Sequence, residues 1–291
     1  MSIWVQRARP SLGTLVEMRV EALGEVCSVA AIDEAFTEIQ AVHRCMSFHE
    51  SASDLSRLHA AEVGTAVEVD MRTTEVLHCA LEVAQLSAGC FDPTIAAQAV
   101  AWGMLPRPHS PFAPDPRANW RDIELLDGNR VRLRRPLWLD LGGIAKGYAV
   151  DRAIDVLIEA GATQVMVNAG GDLRIAGPRE ETVHLRGACA SVAAGVLAIT
   201  NAAVATSAGL TTRKRQHGRW IGAHLHGSTK APAGTFSSAS VIADRCMIAD
   251  ALTKVVLAAD PALAQRVLAA YGAQTATHSA RHGWRELGLA A

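Results

Sequence analysis

Asp140-Leu-Gly-Gly-Ile-Ala-Lys-Gly-Tyr-Ala-Val-Asp151 is the most informative stretch of this chain. It reads as a strand running into paired glycines, with Lys146 at the start of a helix. Glycine lets a backbone approach a ligand closely. A helix N-terminus favours an anion, and a lysine there adds a full positive charge. This is the physics of a phosphate site, although the spacing is not that of a Walker loop, G-x-x-x-x-G-K-[ST]. The plain alternative, a tight strand–helix turn with a solvated lysine, fits the pattern equally well.

The helix continues over 145–160 to Gly161, and Gln164–Asn168 follows as a strand. It leads into a second glycine turn, Asn168-Ala-Gly-Gly-Asp172, which by itself reads as an ordinary β-turn. Upstream, Asp127-Gly128-Asn129 between 123–126 and 131–133 signals a hairpin. Thr14 to Glu21 alternates as a half-buried strand, and 25–46 carries apolar residues at helical spacing. Asp70 caps a helix to about Ser87, closed by Gly89. Further strands are expected at 183–186, 195–199, 219–225 and 238–243, and helices at 246–258 and 261–271. Helices mixed with hairpin-like strands predict an α+β fold with antiparallel sheet.

The 291 residues suit one large domain or two packed halves. Lys+Arg of 28 against Asp+Glu of 29 argues against a nucleic-acid protein. Six scattered cysteines without C-x-x-C imply neither a zinc site nor a disulfide scaffold. The first residues show no apolar signal region, and no apolar run reaches membrane-spanning length, so a cytoplasmic location without a membrane span is expected.

Two further places can carry chemistry. On the helix from Cys246, Asp250, Thr253 and Lys254 stand at i, i+3 and i+4 on one face. They read either as a surface Asp–Lys pair or as an oxygen-rich cation or phosphate site. His224 and His226 flank Leu225 and, on a strand, point the same way.

Taken together, these segments resemble the ApbE-like FAD:protein FMN transferases. The blocks are Leu12-Gly-Thr14, Ser47 with Ser53-Asp-Leu-Ser-Arg-Leu, Gly89-x-Phe-Asp-Pro-Thr94, the 140–151 stretch, Asn168-x-Gly-Gly-Asp172, Ala205-Thr-Ser207 and Ala249-Asp-Ala-Leu252. They occur in family order over a core of about 8–258, within a single domain of 1–291 whose C-terminal part, 259–291, holds a helix and strands. The resemblance implies duplicated sheet-and-helix halves, T-fold-like, with the flavin between them. It implies FAD as substrate, Mg²⁺ as cofactor, transfer of FMN to a Thr or Ser hydroxyl of an acceptor protein, and release of AMP.

Residue by residue, Leu12, His49, Cys90, Phe91, Asp92, Asp140, Lys146 and Leu225 match flavin-side positions. Gly143 and Asp250 match metal-ligand positions, and His224 matches the general base, whose ordinary pKa near 6.5 suits that role. The chain departs from the family at Leu12, where Met is usual, at His49, where an aromatic is common, at Ala208, where Gly is usual, and at two places that bear on the chemistry. After His224 it reads Leu-His-Gly-Ser-Thr-Lys-Ala, without the usual Asp-Pro. The metal-binding threonine four residues after Asp250 is Lys254, with Thr253 one residue early. Either Thr253 completes the metal site, the preferred expectation, or Lys254 takes over part of the metal's charge. A paralogue that binds FAD without transferring it, and an FAD pyrophosphatase, are the competing functions.

Overall fold

Eight antiparallel strands share one sheet, and their order exposes a repeated unit. In the computed structural model, which describes residues 4–21, 25–186, 193–210, 212–235, 237–279 and 281–287, the first half runs β1 (Trp4–Ser11), β2 (Thr14–Glu21), α1 (Glu25–Met46), α2 (Asp54–Ala60), β3 (Ala66–Glu68), α3 (Met71–Leu86), α4 (Ala96–Ala101), β4 (Ile123–Leu126), β5 (Arg130–Leu133), α5 (Ala145–Glu159), β6 (Gln164–Ala169) and β7 (Asp172–Ala176). The second runs β8 (Glu181–Arg186), β9 (Ala193–Ile199), β10 (Ala203–Ala208), β11 (Lys214–Gln216), β12 (Arg219–Ile221), β13 (Ser237–Ala243), α6 (Cys246–Ala258), α7 (Pro261–Ala270), β14 (Gln274–Ser279) and β15 (Gly283–Leu287). The large sheet is ordered β1-β2-β6-β7-β10-β13-β14-β15. Each half therefore repeats a strand pair, a helix pair and a second strand pair, with α1 and α5 as the helices in the first and α6 and α7 in the second, α2 to α4 being added between α1 and α5. In the first half the connection between the helices also carries the small sheet β3-β5-β4. The halves meet where β7 pairs β10 at Ala203↔Arg174 and Val204↔Leu173.

The alternation read from 14–21 places Val16, Met18 and Val20 at 0% exposure, facing the helices. They share one core with Ile32, Phe36 and Ile39 of α1, Ile154 and Leu157 of α5, and Leu252 and Val255 of α6. On the seam between halves, a second cluster joins Leu173, Ile175 and Val204 to Val183, Leu185 and Ile199 of the β8–β9 hairpin.

The helices cross closely because of one glycine. A Cβ at Gly147 would lie 2.3 Å from the Cys246 carbonyl oxygen, so α5 can pass the start of α6 only with glycine there. Asp151, one turn further along α5, accepts the N–H groups of Cys246 and Met247, both at 2.9 Å. It thereby caps α6, which has no side-chain cap of its own.

Two expectations need correction. The segment before Gly142 is not a strand; it is held instead by the Asp140 N–H donating to the Pro93 carbonyl at 2.8 Å. The strand expected over 219–225 stops at Ile221, leaving only a bridge from Leu225 to Pro232. Cys189 lies outside the described residues, and the cysteines within them are free.

His59 gives a stability prediction. It is 3% exposed, its Nε2 accepts the Leu139 N–H at 2.8 Å, and burial lowers its pKa from 6.5 to about 4. The folded state keeps this ring neutral while the unfolded chain protonates it, so its contribution is complete above pH 6.5 and is lost as pH falls from there towards 4. Urea titrations should show stability dropping by roughly 2–3 kcal/mol across that window from this group. His59→Gln should flatten the slope; an identical slope in the variant would contradict this account.

Candidate functional site

Three turns distant in sequence are tied to one another. At the end of α3, Ala88 (φ 51°) and Gly89 (φ 76°) take left-handed conformations. The Phe91 N–H then donates to Ser87 Oγ at 3.1 Å. Asp92 Oδ1 accepts from both the N–H and the hydroxyl of Thr94, at 2.8 and 2.7 Å. The loop at 224–230 rests on this turn through the Gly227 N–H, which donates to the Cys90 carbonyl at 2.7 Å. A Cβ at Gly227 would lie 2.3 Å from the Gly89 oxygen. The 140–146 turn joins through Pro93 and is closed by the Gly142 N–H donating to Asp140 Oδ1 at 2.8 Å.

These turns surround a cavity of about 560 Å³. Of the flavin-side residues expected from the sequence, Leu12, His49, Phe91, Asp92, Asp140, Lys146 and Leu225 line it, together with Gly143 and His224. Cys90 does not: it is 2% exposed, and only its carbonyl takes part, holding Gly227. Burial pushes the Asp140 carboxyl up, against the Gly142 N–H and the charges of Lys254 and His49.

Beneath the cavity two carboxylates meet two ammonium groups. Lys146 Nζ lies 2.5 Å from Asp172 Oδ2, with that carboxylate 3% exposed. Lys254 Nζ pairs with Asp250 Oδ1 and lies 3.1 Å from the Asp250 carbonyl. The Gly147 N–H also donates to Asp250 Oδ2, at 3.2 Å. Burial pulls the Lys146 pKa down, but Asp172 and Asp250 outweigh it and raise the value. Burial, then the charge of Asp250, push Asp172 up to about 6 despite Lys146 and Lys254. For Asp250 burial acts upward, and the two ammonium groups reverse it, leaving the carboxylate ionised.

Asp172 was not singled out by sequence reasoning. The 168–172 turn is the tight β6–β7 connection, with Gly170 and Gly171 at φ 66° and 107°. Its consequence is chemical: it begins β7 with a buried acid facing Lys146. An acid placed directly after the paired glycines, at the head of a strand with apolar Leu173, Ile175 and Ala176, was the available signal.

His224 lines the cavity; His226 does not, because no strand holds the two in alternation. The His224 ring shares the cavity wall with Ala208. Burial first, then the Lys254 charge, lower its pKa to about 4, well below the value near 6.5 expected from the sequence.

The Mg²⁺ site expected from Gly143, Asp250 and Thr253 does not fit these side chains. Thr253 Oγ1 is committed to the Asp250 carbonyl and to Ser207 Oγ, each at 2.7 Å, and Thr253 is 0% exposed. One residue along a helix turns the side chain by about 100°, so position 253 cannot stand in for position 254. Lys254 instead follows Asp250 at i+4, with its ammonium on the carboxylate. Among the described residues no group of three or more His, Cys, Asp or Glu could hold a metal ion.

Comparison with known proteins gives this geometry its context. The chain is 29% identical to an FAD:protein FMN transferase of Treponema pallidum over 181 residues, 57% of this chain and 50% of that one. It is 29% identical to one of Vibrio cholerae over 191 residues, 62% and 57% of the two. The chain thus spans little more than half the length of these curated relatives. Among solved structures, the ApbE protein of Thermotoga maritima superposes with a TM-score of 0.85 at 24% identity, covering 98% of this chain and 97% of that one. The apo form of Pseudomonas stutzeri flavinyl transferase ApbE gives 0.82 at 19%, covering 98% and 94%. These two share the fold. The ApbE family profile matches residues 12–277, nearly the whole chain and every turn that builds the cavity, and the chain belongs to the ApbE family.

Proposed function

We propose that this chain transfers the FMN part of FAD to a Ser or Thr hydroxyl of an acceptor protein. The observation that carries the reading is the convergence of the 90–92 turn, the 140–146 turn and His224 on one cavity with two ammonium groups at its floor. The names of the relatives support the same activity.

In this reading Leu12, Phe91 and Leu225 offer apolar surface to the isoalloxazine ring, and Asp92 and Asp140 offer hydrogen-bond partners to the polar end of the flavin. Lys146 and Lys254 face the diphosphate, where they offset its charge and the charge that develops as it is cleaved. His224 is neutral over the physiological range. An unprotonated nitrogen of the neutral ring takes the proton from the acceptor hydroxyl. The hydroxyl oxygen bonds to the FMN phosphorus, the bond from that phosphorus to the bridging oxygen breaks, and AMP leaves with the bridging oxygen. Asp250 does not touch substrate here; buried under Lys254, it positions that ammonium.

Calorimetry tests the reading. FAD should bind more tightly than riboflavin, which has no phosphate. Lys146→Ala should weaken FAD binding by about 1.5–3 kcal/mol while leaving riboflavin unchanged. Equal affinity of the wild type for FAD and riboflavin would return Lys146 to a purely structural ion pair with Asp172.

A further inference from the structure

We propose that Lys254 is a built-in replacement for a divalent cation, so that this chain binds the FAD diphosphate without Mg²⁺; the inference rests on the flavin reading above. The ammonium of Lys254 lies on the Asp250 carboxylate. Its stem lies against Gly143, where a Cβ would approach Lys254 Cε to 3.3 Å. The side chain therefore fills the gap between the carboxylate and the glycine turn, while Lys254 and Gly143 both border the cavity.

The surrounding donors are already assigned. Thr253 Oγ1 is held by Ser207 and by the Asp250 carbonyl, and the other carboxylate, Asp172, is engaged by Lys146. Two carboxylates and two ammonium groups leave the buried cluster with no net charge. A divalent cation entering beside Asp250 would meet two ammonium groups at close range, and ammonium nitrogen has no lone pair to offer it. An incoming diphosphate meets the same two groups as attraction. Lysine is a point charge that rotates freely and suits phosphate oxygens without strict geometry.

The test reads binding as well as turnover. FAD affinity is measured by flavin fluorescence in EDTA and in Mg²⁺, for wild type and Lys254→Thr, and Mn²⁺ binding to the flavin-free proteins is followed by electron paramagnetic resonance. The wild-type FAD dissociation constant should agree within about twofold between the two buffers. Lys254→Thr should lose about tenfold or more in EDTA and recover with Mg²⁺. That variant should also bind Mn²⁺ at least about tenfold more tightly than the wild type.

The wild-type arms need no variant, so they stand even if Lys254→Thr, which leaves Asp250 with Lys146 alone, fails to fold. Loss of wild-type FAD binding in EDTA, or Mn²⁺ binding to the wild type as tight as to the variant, would overturn the inference and leave the flavin reading intact. Absence of FAD binding in both buffers would overturn both.

Discussion

His224→Asn should lower FMN transfer by about 10²–10⁴-fold, the usual range for a removed general base, while leaving FAD affinity unchanged. The expectation combines place and charge. His224 borders the cavity, and burial and the Lys254 charge hold its pKa at about 4. A base must be neutral to accept a proton, so the loss of activity that His224 controls should come as pH drops through about 4, apart from the change near 6 where Asp172 beside Lys146 takes up a proton. An ordinary histidine would place that limb near 6.5. A pH profile of kcat/KM in the wild type reads the limb directly. A fully active His224→Asn would move the role to another group, and a limb near 6.5 would contradict the desolvated site.

Asp151→Ala should cost about 3 kcal/mol of stability, within the range for removing one partner of a buried polar cluster. The Asp151 side chain is 0% exposed, accepts the first N–H groups of α6 and pairs with Arg174 at 3.0 Å. Alanine would leave those N–H groups without an acceptor where water cannot reach them. Asp151→Asn should cost less than alanine but not be neutral: its one amide oxygen can accept one of the two N–H groups, while its NH₂ opposes the other. Urea denaturation checks both; equal losses for Ala and Asn would show that charge, and not the cap, is what matters.

Much of the fold was legible because its signals are local. The alternation of 14–21, the cap at Asp70 and the Asp127-Gly128-Asn129 turn each act within a few residues and appear where expected. The doubling of the unit was not written in periodicity; the family resemblance implied it, and the strand order, which long-range pairing decides, displays it. Candidate site residues were found as motifs, yet their pairings were not. Asp172 looked like the end of a turn, and Gly147 and Asp151 looked like parts of a ligand loop. Gly147 is there for helix crossing and Asp151 for capping, and both depend on α6, about a hundred positions away. The Asp250–Lys254 pair was visible as an i, i+4 spacing, but its burial was not, since only the cavity above it separates a solvated pair from a site. His224 lost its assigned strand because Gly227 docks on the 89–90 turn, a contact no pattern in 219–226 reveals.

The central claim is that FMN moves from FAD to a protein hydroxyl. The most direct measurement incubates the wild-type chain with FAD and a peptide library carrying one central Thr or Ser, then quantifies AMP, FMN and peptide mass together. The account predicts AMP in equal amount to peptides that have gained FMN less one water, with no free FMN. AMP and free FMN in equal amounts with unmodified peptide would mean water is the acceptor, and unchanged FAD would mean binding without transfer; either result would contradict it.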